Sequence, residues 1–293
     1  MMNENKARLE FVLSMVIYGT IGLFRKFIPY SSGIVALGRA FIGMLFLLLF
    51  MLITGRKLSF TDIKKNLVPL SISGALLGFN WILLFESYRY TSVAKGTLCY
   101  YMAPVIMILL APALFKEKLT VRKIICVLIA IIGITMVSGV LEDRSSGSSE
   151  VKGILFGLAA ALFYAFIVIT NKGIHDISAY DKTVYQLFVS VIVLIPYILL
   201  TEDISCLEPT AFGIGMLVAA GILHTGIAYT LYFGSIEFLP TQNVALLSYI
   251  DPVVAILLSA FVLHESISAL GIVGAVLVIG ALILSETGEN TEK

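Results

Sequence analysis

The sequence predicts an all-α integral membrane protein with ten transmembrane helices, arranged as two inverted five-helix repeats. Of the 293 residues, 59% are hydrophobic and only 13% are charged, whereas soluble domains carry about 25% charged residues. The apolar residues form repeated runs of about 18 or more, the length of helix that crosses a bilayer. A transmembrane β-barrel would show alternating hydrophobicity, which these runs lack.

Polar and charged residues between the apolar runs mark the predicted spans. A polar linker at 142–152 separates the first repeat, 1–141, from the second, 153–293. The first apolar run is too long for the core of a cleaved signal peptide, so we interpret it as an uncleaved span. The ten predicted spans are 9–28, 33–53, 67–87, 93–115, 121–140, 152–171, 183–201, 211–233, 240–263 and 268–285.

The distribution of Lys and Arg predicts the orientation. With the N-terminus in the cytoplasm, the inner segments hold 13 of these residues and the outer segments 6, while Arg39 lies within a span. Both termini are therefore predicted to be cytoplasmic.

An internal repeat relates the two halves. Residues 100–120 align with 248–268 at a constant shift of 148, which pairs Pro104 with Pro252. A weaker match sets 17–26 beside 163–172. Since five spans is an odd number, the halves must enter the membrane from opposite faces. Inverted repeats are typical of secondary transporters, which bind substrate near the midplane between the halves.

The acid-proline pair Asp251-Pro252 is the main candidate for a site. Asp251 is about 16 Å into the ninth span at 1.5 Å per residue, near the bilayer centre, where an ionisable group costs about 2.5–3.5 kcal/mol. It is interpreted as a substrate or proton site, with a structural, hydrogen-bonded acid as the alternative. Pro252 and Pro104 are predicted helix kinks that crowd the carbonyls of Ser248 and Tyr100. Paired kinks favour a binding site, and packing alone is the alternative.

Further charged groups within the spans are candidates for coupling or gating. Arg39 and Glu86 either pair with one another or extend separately to the membrane surface. His224 is either a proton relay or a hydrogen-bonded core histidine. We interpret Glu117 and Glu265, at helix ends, as structural residues that close the following turns.

Aromatic residues within the spans form a wider set that includes Tyr101, Tyr164 and Tyr232. Tyr100 and Tyr249, beside the prolines, are the strongest candidates to line a site, where cation–π contacts would suit an ammonium group. Packing with an interhelical hydrogen bond is the alternative. The other predicted substrate-binding residues are Ser248, Trp81, Tyr18, Asn80, Gln186 and Tyr229.

These features resemble the EamA-type, ten-helix members of the drug/metabolite transporter superfamily. The resemblance is carried by Pro104, by "PVVA" at 252–255, by Arg39 in "ALGRAFIG", by Tyr18-Gly19 and by the acids in "KEKLT" and "HES". Asp251 fills a position that is often acidic in that family. Cys126 departs from it, since a glycine is usual there. The resemblance implies a multi-pass carrier in the inner or plasma membrane of the cell that moves small metabolites, commonly amino acids or drug-like compounds, often outward.

The functional hypothesis is therefore a secondary-active exporter of small metabolites, such as amino acids or drug-like amines, that works by alternating access. Proton exchange is a candidate driving force. A channel or a non-transporting membrane sensor is the alternative. An integral-membrane enzyme is disfavoured, because the sequence lacks a nucleotide-binding loop, a zinc-protease motif and a serine-nucleophile motif.

The expected partners are the substrate, protons and the lipid bilayer. The net charge of +1 gives no reason to expect nucleic acid, and three scattered cysteines predict neither a metal site nor a disulfide framework. No cofactor is expected. The G-x-x-x-G at 74–78 favours close packing within the fold, so the predicted state is a monomer or a weak homodimer.

Overall fold

The computed structural model describes residues 4–115, 120–137, 148–171, 173–202, 209–236, 238–239 and 247–287. All regular secondary structure within these residues is helical. Four parts of the sequence-based predictions lie outside them: residues 138–140 of the fifth span, residues 142–147 of the polar linker, residues 240–246 of the ninth span, and Glu117.

The helices group into ten apolar segments, numbered in chain order like the predicted spans, with one short surface helix, α4 (Phe60–Lys65), between segments 2 and 3. Segment 1 is α1 (Glu4–Gly19) and α2 (Ile21–Phe27), segment 2 is α3 (Ser32–Ile53), segment 3 is α5 (Leu67–Tyr90), segment 4 is α6 (Val93–Tyr100) and α7 (Ala103–Phe115), and segment 5 is α8 (Val121–Val137). Segment 6 is α9 (Ser148–Asn171), segment 7 is α10 (Ala179–Thr201), segment 8 is α11 (Ala211–Ala220), a π-helix (Gly221–Ile227) and α12 (Ala228–Ile236), segment 9 is α13 (Ile250–Phe261), and segment 10 is α14 (Ala269–Thr287).

Seven of these segments are long and apolar enough to cross a membrane, namely segments 1–4 and 6–8. Segments 5, 9 and 10 hold shorter apolar helices within the described residues, Ile124–Val137, Ile250–Phe261 and Ala269–Ala281. The seven long segments, and the described parts of the three shorter ones, overlap the predicted spans.

Three helices begin several residues before the predicted positions. α1 begins at Glu4 rather than 9. α9 begins at Ser148, inside the predicted linker, with Glu150 in its first turn, where a carboxylate stabilises the positive end of the helix dipole. α10 begins at Ala179 rather than 183, because Ser178 caps it by accepting a hydrogen bond from the Asp181 amide at 3.1 Å. Polar residues at the helix start, which a search for apolar runs does not detect, therefore mark the boundaries of α9 and α10.

The two halves of the chain interlock. Among the described helices, most of the extensive packing joins one of segments 1–5 to one of segments 6–10. These pairs are 3 with 6 and 7, 2 with 7 and 8, 1 with 8 and 9, 4 with 6 and 9, and 5 with 10. Segments 2 and 3 also pack against each other within the first half. Much of the buried core therefore lies between the halves.

Small residues allow these close approaches, as the sequence predicts. A Cβ atom added at Gly74 would lie 2.7 Å from the carbonyl oxygen of Gln186, and one added at Gly78 would lie 3.1 Å from Leu194. The G-x-x-x-G at 74–78 thus packs segment 3 against segment 7. A Cβ atom added at Gly274 would lie 2.5 Å from the carbonyl oxygen of Gly133. The absence of a side chain at Gly274 therefore lets segments 5 and 10 pack closely.

Candidate functional site

Several segments are interrupted near their middles. Segment 1 breaks at Thr20, segment 4 breaks at Tyr101-Met102, and residues 221–227 of segment 8 form a π-helix. α13 begins at Ile250, directly after a turn at Tyr249. π-helical turns and broken helices within membrane proteins recur at binding sites, because they free backbone groups and turn side chains inward.

Both candidate prolines lie in the first turn of a helix rather than inside one. Pro104 is the second residue of α7, and Pro252 is the third residue of α13. Proline is accommodated there because the first amides of a helix have no intrahelical acceptor. The chain leaves the helical path just before each proline, so the predicted crowding of the Tyr100 and Ser248 carbonyls is relieved by a break rather than by a bend.

Asp251 is tied to the break in segment 4. The Tyr101 hydroxyl donates a hydrogen bond to Asp251 Oδ2 at 2.6 Å, and both side chains are partly exposed. The predicted site residues did not include Tyr101, although it was part of the wider aromatic set. The internal repeat gave a signal for it, because a shift of 148 pairs Tyr101 with Tyr249.

The break in segment 1 packs against Asp251 of segment 9. A Cβ atom added at Gly19 would lie 2.7 Å from the carbonyl oxygen of Asp251 and 2.6 Å from Cβ of Val254. Only a glycine therefore lets segment 1 approach segment 9 at this point.

The same break contacts the π-helix of segment 8. Thr20 Oγ1 lies 2.8 Å from His224 Nε2, and Nδ1 of the same ring lies 3.3 Å from the carbonyl oxygen of Ala220. His224 is fully buried, with the Phe24 ring packed edge-on against it at 4.8 Å between centroids. Thr20 was not predicted, since a threonine within an apolar span carries no signal of its own.

Arg39 is buried beside His224. Its Nε donates to Thr225 Oγ1 at 2.9 Å, and its guanidinium carbon lies 4.2 Å from the Trp81 ring centroid. None of the ion pairs among the described residues includes Arg39. Glu86, considered as its partner, instead pairs with Arg89 at 2.8 Å, one helical turn away. The ring of Trp81, a predicted substrate-binding residue, packs against the face of the Arg39 guanidinium in a cation–π contact.

Two groups of tyrosine rings flank these residues. Tyr18 of segment 1 meets Tyr229 of segment 8 edge-on at 5.8 Å between centroids. Tyr100 of segment 4 contacts Tyr101 at 6.0 Å and Tyr164 of segment 6 at 5.4 Å. Tyr164 is 39% exposed although it lies in the middle of a segment.

Two predicted site residues have structural contacts elsewhere. Asn80 is fully buried and donates to the carbonyl oxygen of Ala160 at 2.6 Å. Gln186 donates to Ser73 Oγ and to Asn171 Oδ1. These bonds join segments 3, 6 and 7 and are not part of the Asp251 cluster. Of the residues beside Asp251, Tyr249 packs in an apolar cluster and Ser248 is partly exposed.

Glu265 joins three segments at one face of the fold. Its Oε1 lies 3.0 Å from Lys26 Nζ, and its Oε2 accepts hydrogen bonds from the Val93 amide at 2.8 Å and from Ser259 Oγ at 2.6 Å. The sequence predicts that Glu265 closes the turn before segment 10. The observed contacts are with the end of segment 1 and the beginning of segment 4, where free amides attract a carboxylate.

Within the described residues, no three His, Cys, Asp or Glu side chains form a group that would hold a metal ion. The chemistry of the site therefore rests on one carboxylate, one guanidinium, one imidazole and several phenols. Such groups are suited to binding charged and aromatic molecules and to moving protons.

Comparison with known proteins agrees with this architecture. The chain is 34% identical over 255 residues to the Uncharacterized transporter YxxF of Bacillus subtilis (strain 168), which covers 87% of this chain and 81% of that protein. It is 25% identical over 275 residues to an Uncharacterized transporter of Archaeoglobus fulgidus, over 94% of each chain. These names point to transport rather than to an enzyme.

A crystal structure of another protein has the same fold, with a TM-score of 0.67 at 18% identity over 99% of this chain and 100% of that one. The family described as "EamA-like transporter family" matches twice, at residues 6–139 and 151–287. Together with the apolar helices, these matches identify a multi-pass membrane protein, and the chain belongs to the EamA-like transporter family.

Proposed function

We propose that this protein is a secondary-active carrier that exports small, amine-bearing metabolites by alternating access. Two inverted five-helix halves rock around a central site that contains Asp251, and protons drive the movement. The names of the similar proteins support transport, and the family resemblance supports the outward direction in a cell membrane.

The packing of the helices supports an inverted repeat. Exchanging segments 1–5 with segments 6–10 turns each main contact between the halves into another contact of the same set. The pair 3–6 becomes 8–1, 3–7 becomes 8–2 and 4–6 becomes 9–1, while 2–7, 4–9 and 5–10 are unchanged by the exchange. The chain would then comprise one repeat at 1–141 and a second at 153–293, joined by a polar linker.

The hydrogen bond from Tyr101 to Asp251 is the observation that carries the proposal. It joins a broken helix of the first half to the corresponding broken helix of the second half. A midplane site between repeats, built from discontinuous helices, is the arrangement used by secondary transporters.

Asp251 provides the chemistry for both the substrate and the proton. A carboxylate buried in a membrane is stabilised either by a cationic partner or by protonation. An ammonium substrate and a proton therefore compete for the same group, which couples their movements. The neighbouring rings of Tyr100, Tyr101 and Tyr18 offer π-faces and hydroxyl groups to an ammonium group.

Transport by purified protein in lipid vesicles tests this function. With an imposed pH gradient, we expect saturable flux of amine-bearing metabolites, identified by mass spectrometry from a cell extract. Asp251→Asn should abolish the dependence on the gradient and leave the protein folded. Asp62→Asn is the matched control, since Asp62 lies on the surface helix α4, bonded to Ser59 and Lys65.

Wild-type flux by Asp251→Asn across the same gradient would contradict the role of this residue. Flux that rises linearly with substrate concentration would indicate a channel instead. Saturable flux that is unaffected by pH gradients would show a carrier with another driving force.

A further inference from the structure

We propose that the loop between segments 2 and 3 binds the headgroup of an acidic phospholipid in the membrane leaflet that it faces. The binding surface is the outer side of the short helix α4, formed by Phe60, Thr61, Lys64 and Lys65, and is called the α4 surface below. The inference goes beyond the proposed function, because it concerns the surrounding membrane and not the transported molecule.

α4 is fixed to the rest of the protein. Ser59 caps the helix by accepting a hydrogen bond from the Asp62 amide at 3.3 Å. Ile63 packs inward and is only 7% exposed. Asn66, which follows the helix, donates to the carbonyl oxygen of His175 at 2.9 Å and accepts from the His175 amide at 3.2 Å. α4 is therefore tied to the loop that precedes segment 7, and its outer side forms a defined surface.

The residues on either side of this loop place α4 at the boundary between hydrocarbon and water. Leu52 and Ile53, at the end of segment 2, are each 75% exposed, and Val68, at the beginning of segment 3, is 67% exposed. Because both segments are long enough to cross the membrane, these apolar side chains lie against acyl chains. The α4 surface between them is then at the level of the lipid headgroups.

The α4 surface combines an exposed aromatic ring with two lysines. Phe60 is 76% exposed, and Lys64 follows it by four residues, so the two lie side by side on the helix. Together with Thr61 and Lys65 they line a shallow depression of about 500 Å³. Helices that lie in the plane of the membrane interface have this composition: the ring enters the acyl boundary, and the lysines extend to the phosphates.

The charges of this loop are not balanced within the protein. Residues 54–66 hold four cationic side chains and one acidic side chain. The acid, Asp62, accepts from Ser59 Oγ at 2.6 Å and pairs with Lys65 at 3.4 Å. Neither Lys57 nor Lys64 belongs to an ion pair among the described residues. An anion from outside the protein would balance these charges.

An acidic phospholipid explains more of these features than the alternatives do. Lysines in loops also determine the orientation of membrane proteins, but that role requires neither an anchored helix nor an exposed phenylalanine. A soluble phosphate would bind the lysines and leave the Phe60 ring in water. A phospholipid uses both, since its phosphate attracts the ammonium groups while its acyl chains cover the ring.

Lipid retention by the purified full chain tests the inference. The protein in detergent is mixed with equal amounts of phosphatidylglycerol and phosphatidylcholine that carry the same acyl chains, and native mass spectrometry counts the bound lipids. We expect wild-type protein to retain phosphatidylglycerol preferentially. The preference should fall as the salt concentration rises, because exposed charges are screened.

Two double variants with the same change in net charge locate the site. Lys64→Gln with Lys65→Gln should reduce the preference for phosphatidylglycerol by about 5- to 30-fold, which corresponds to about 1 kcal/mol for each lysine. Lys6→Gln with Arg8→Gln is the matched control, because both of these cations are paired with glutamates one helical turn away. It should leave the preference unchanged.

Three outcomes would overturn the inference. Equal retention of the two lipids by wild-type protein would do so without reference to any variant. An equal fall in both double variants would show that net charge, and not the α4 surface, attracts the lipid. Displacement of phosphatidylglycerol by an equal concentration of glycerol phosphate, which has the charge without the acyl chains, would indicate a site for soluble phosphates. Each of these results leaves the proposed function standing, since none depends on flux.

Discussion

The hydroxyl of Tyr101, at the break in segment 4, donates to the carboxylate of Asp251, in the first turn of α13, across 2.6 Å. One bond thus fixes the orientation of the central acid relative to both halves of the chain. Because the two residues are 150 positions apart, this contact reports directly on how the halves are assembled.

Removing that hydroxyl should weaken substrate binding more than folding. In Tyr101→Phe the ring remains, and the loss of one hydrogen bond within a membrane protein costs about 1 kcal/mol. We expect the substrate concentration at half-maximal flux to rise by about fivefold, which corresponds to that energy. Flux titrations in vesicles measure it. Tyr185→Phe is the control, since its hydroxyl contacts Ser71 at 3.3 Å away from Asp251. Equal effects of the two changes would contradict the role of Tyr101.

A side chain at Gly19 should separate segment 1 from segment 9. In Gly19→Ala the new methyl group would meet the Asp251 carbonyl oxygen and Val254 at less than 3 Å, and overpacking typically costs about 1–3 kcal/mol. We expect a lower thermal unfolding temperature together with a large loss of flux. Gly280→Ala is the matched control, because a Cβ there has no neighbour within 4 Å. If Gly19→Ala changed neither the unfolding temperature nor the flux, the contact between segments 1 and 9 would tolerate the added methyl group.

Much of the fold follows from the sequence, and the reason is the bilayer. Hydrocarbon requires long apolar helices, so the approximate positions of the seven long segments could be predicted, as could the close packing of 74–78. Helix starts at Ser148 and Ala179 were less predictable, because capping and first-turn charges decide them.

The site was predictable only in part. Asp251 could be predicted as a candidate site residue, because a carboxylate within an apolar membrane span is costly and needs a partner or a function. Thr20 and Thr225 carry none, because their importance comes from contacts with His224 and Arg39 that depend on how distant segments pack. The repeat indicated matched prolines but could not show that each one begins a helix after a break.

The contact of Asn80 predicts a structural effect. Asn80→Ala removes the bond to the Ala160 carbonyl between segments 3 and 6 and leaves a small cavity in a fully buried position. We expect the free energy of unfolding to fall by about 1–2 kcal/mol, with the half-saturation concentration for transport unchanged. Thermal unfolding and flux titration together check this. A selective rise in the half-saturation concentration would place Asn80 at the substrate instead, as the sequence had suggested.

The contacts of Glu265 indicate that this residue holds one face of the protein closed. The pair with Lys26 is partly shielded, with the side chains 32% and 17% exposed, and the carboxylate also binds the amide of Val93. Glu265→Gln removes the charge and keeps the shape, so it should weaken the link between segments 1, 4 and 9. A cysteine introduced at the buried Ala94, in a variant without native cysteines, should then react faster with a polar thiol reagent.

The rate should increase by about fivefold for each kcal/mol by which the closed state is weakened. Glu4→Gln provides the control, because it breaks the exposed pair with Arg8, and exposed pairs contribute little. If Glu265→Gln and Glu4→Gln labelled at the same rate as the parent, Glu265 would only cap α6. Faster labelling in Glu265→Gln alone, reversed by added substrate or by a pH gradient, would show that this face opens during the transport cycle.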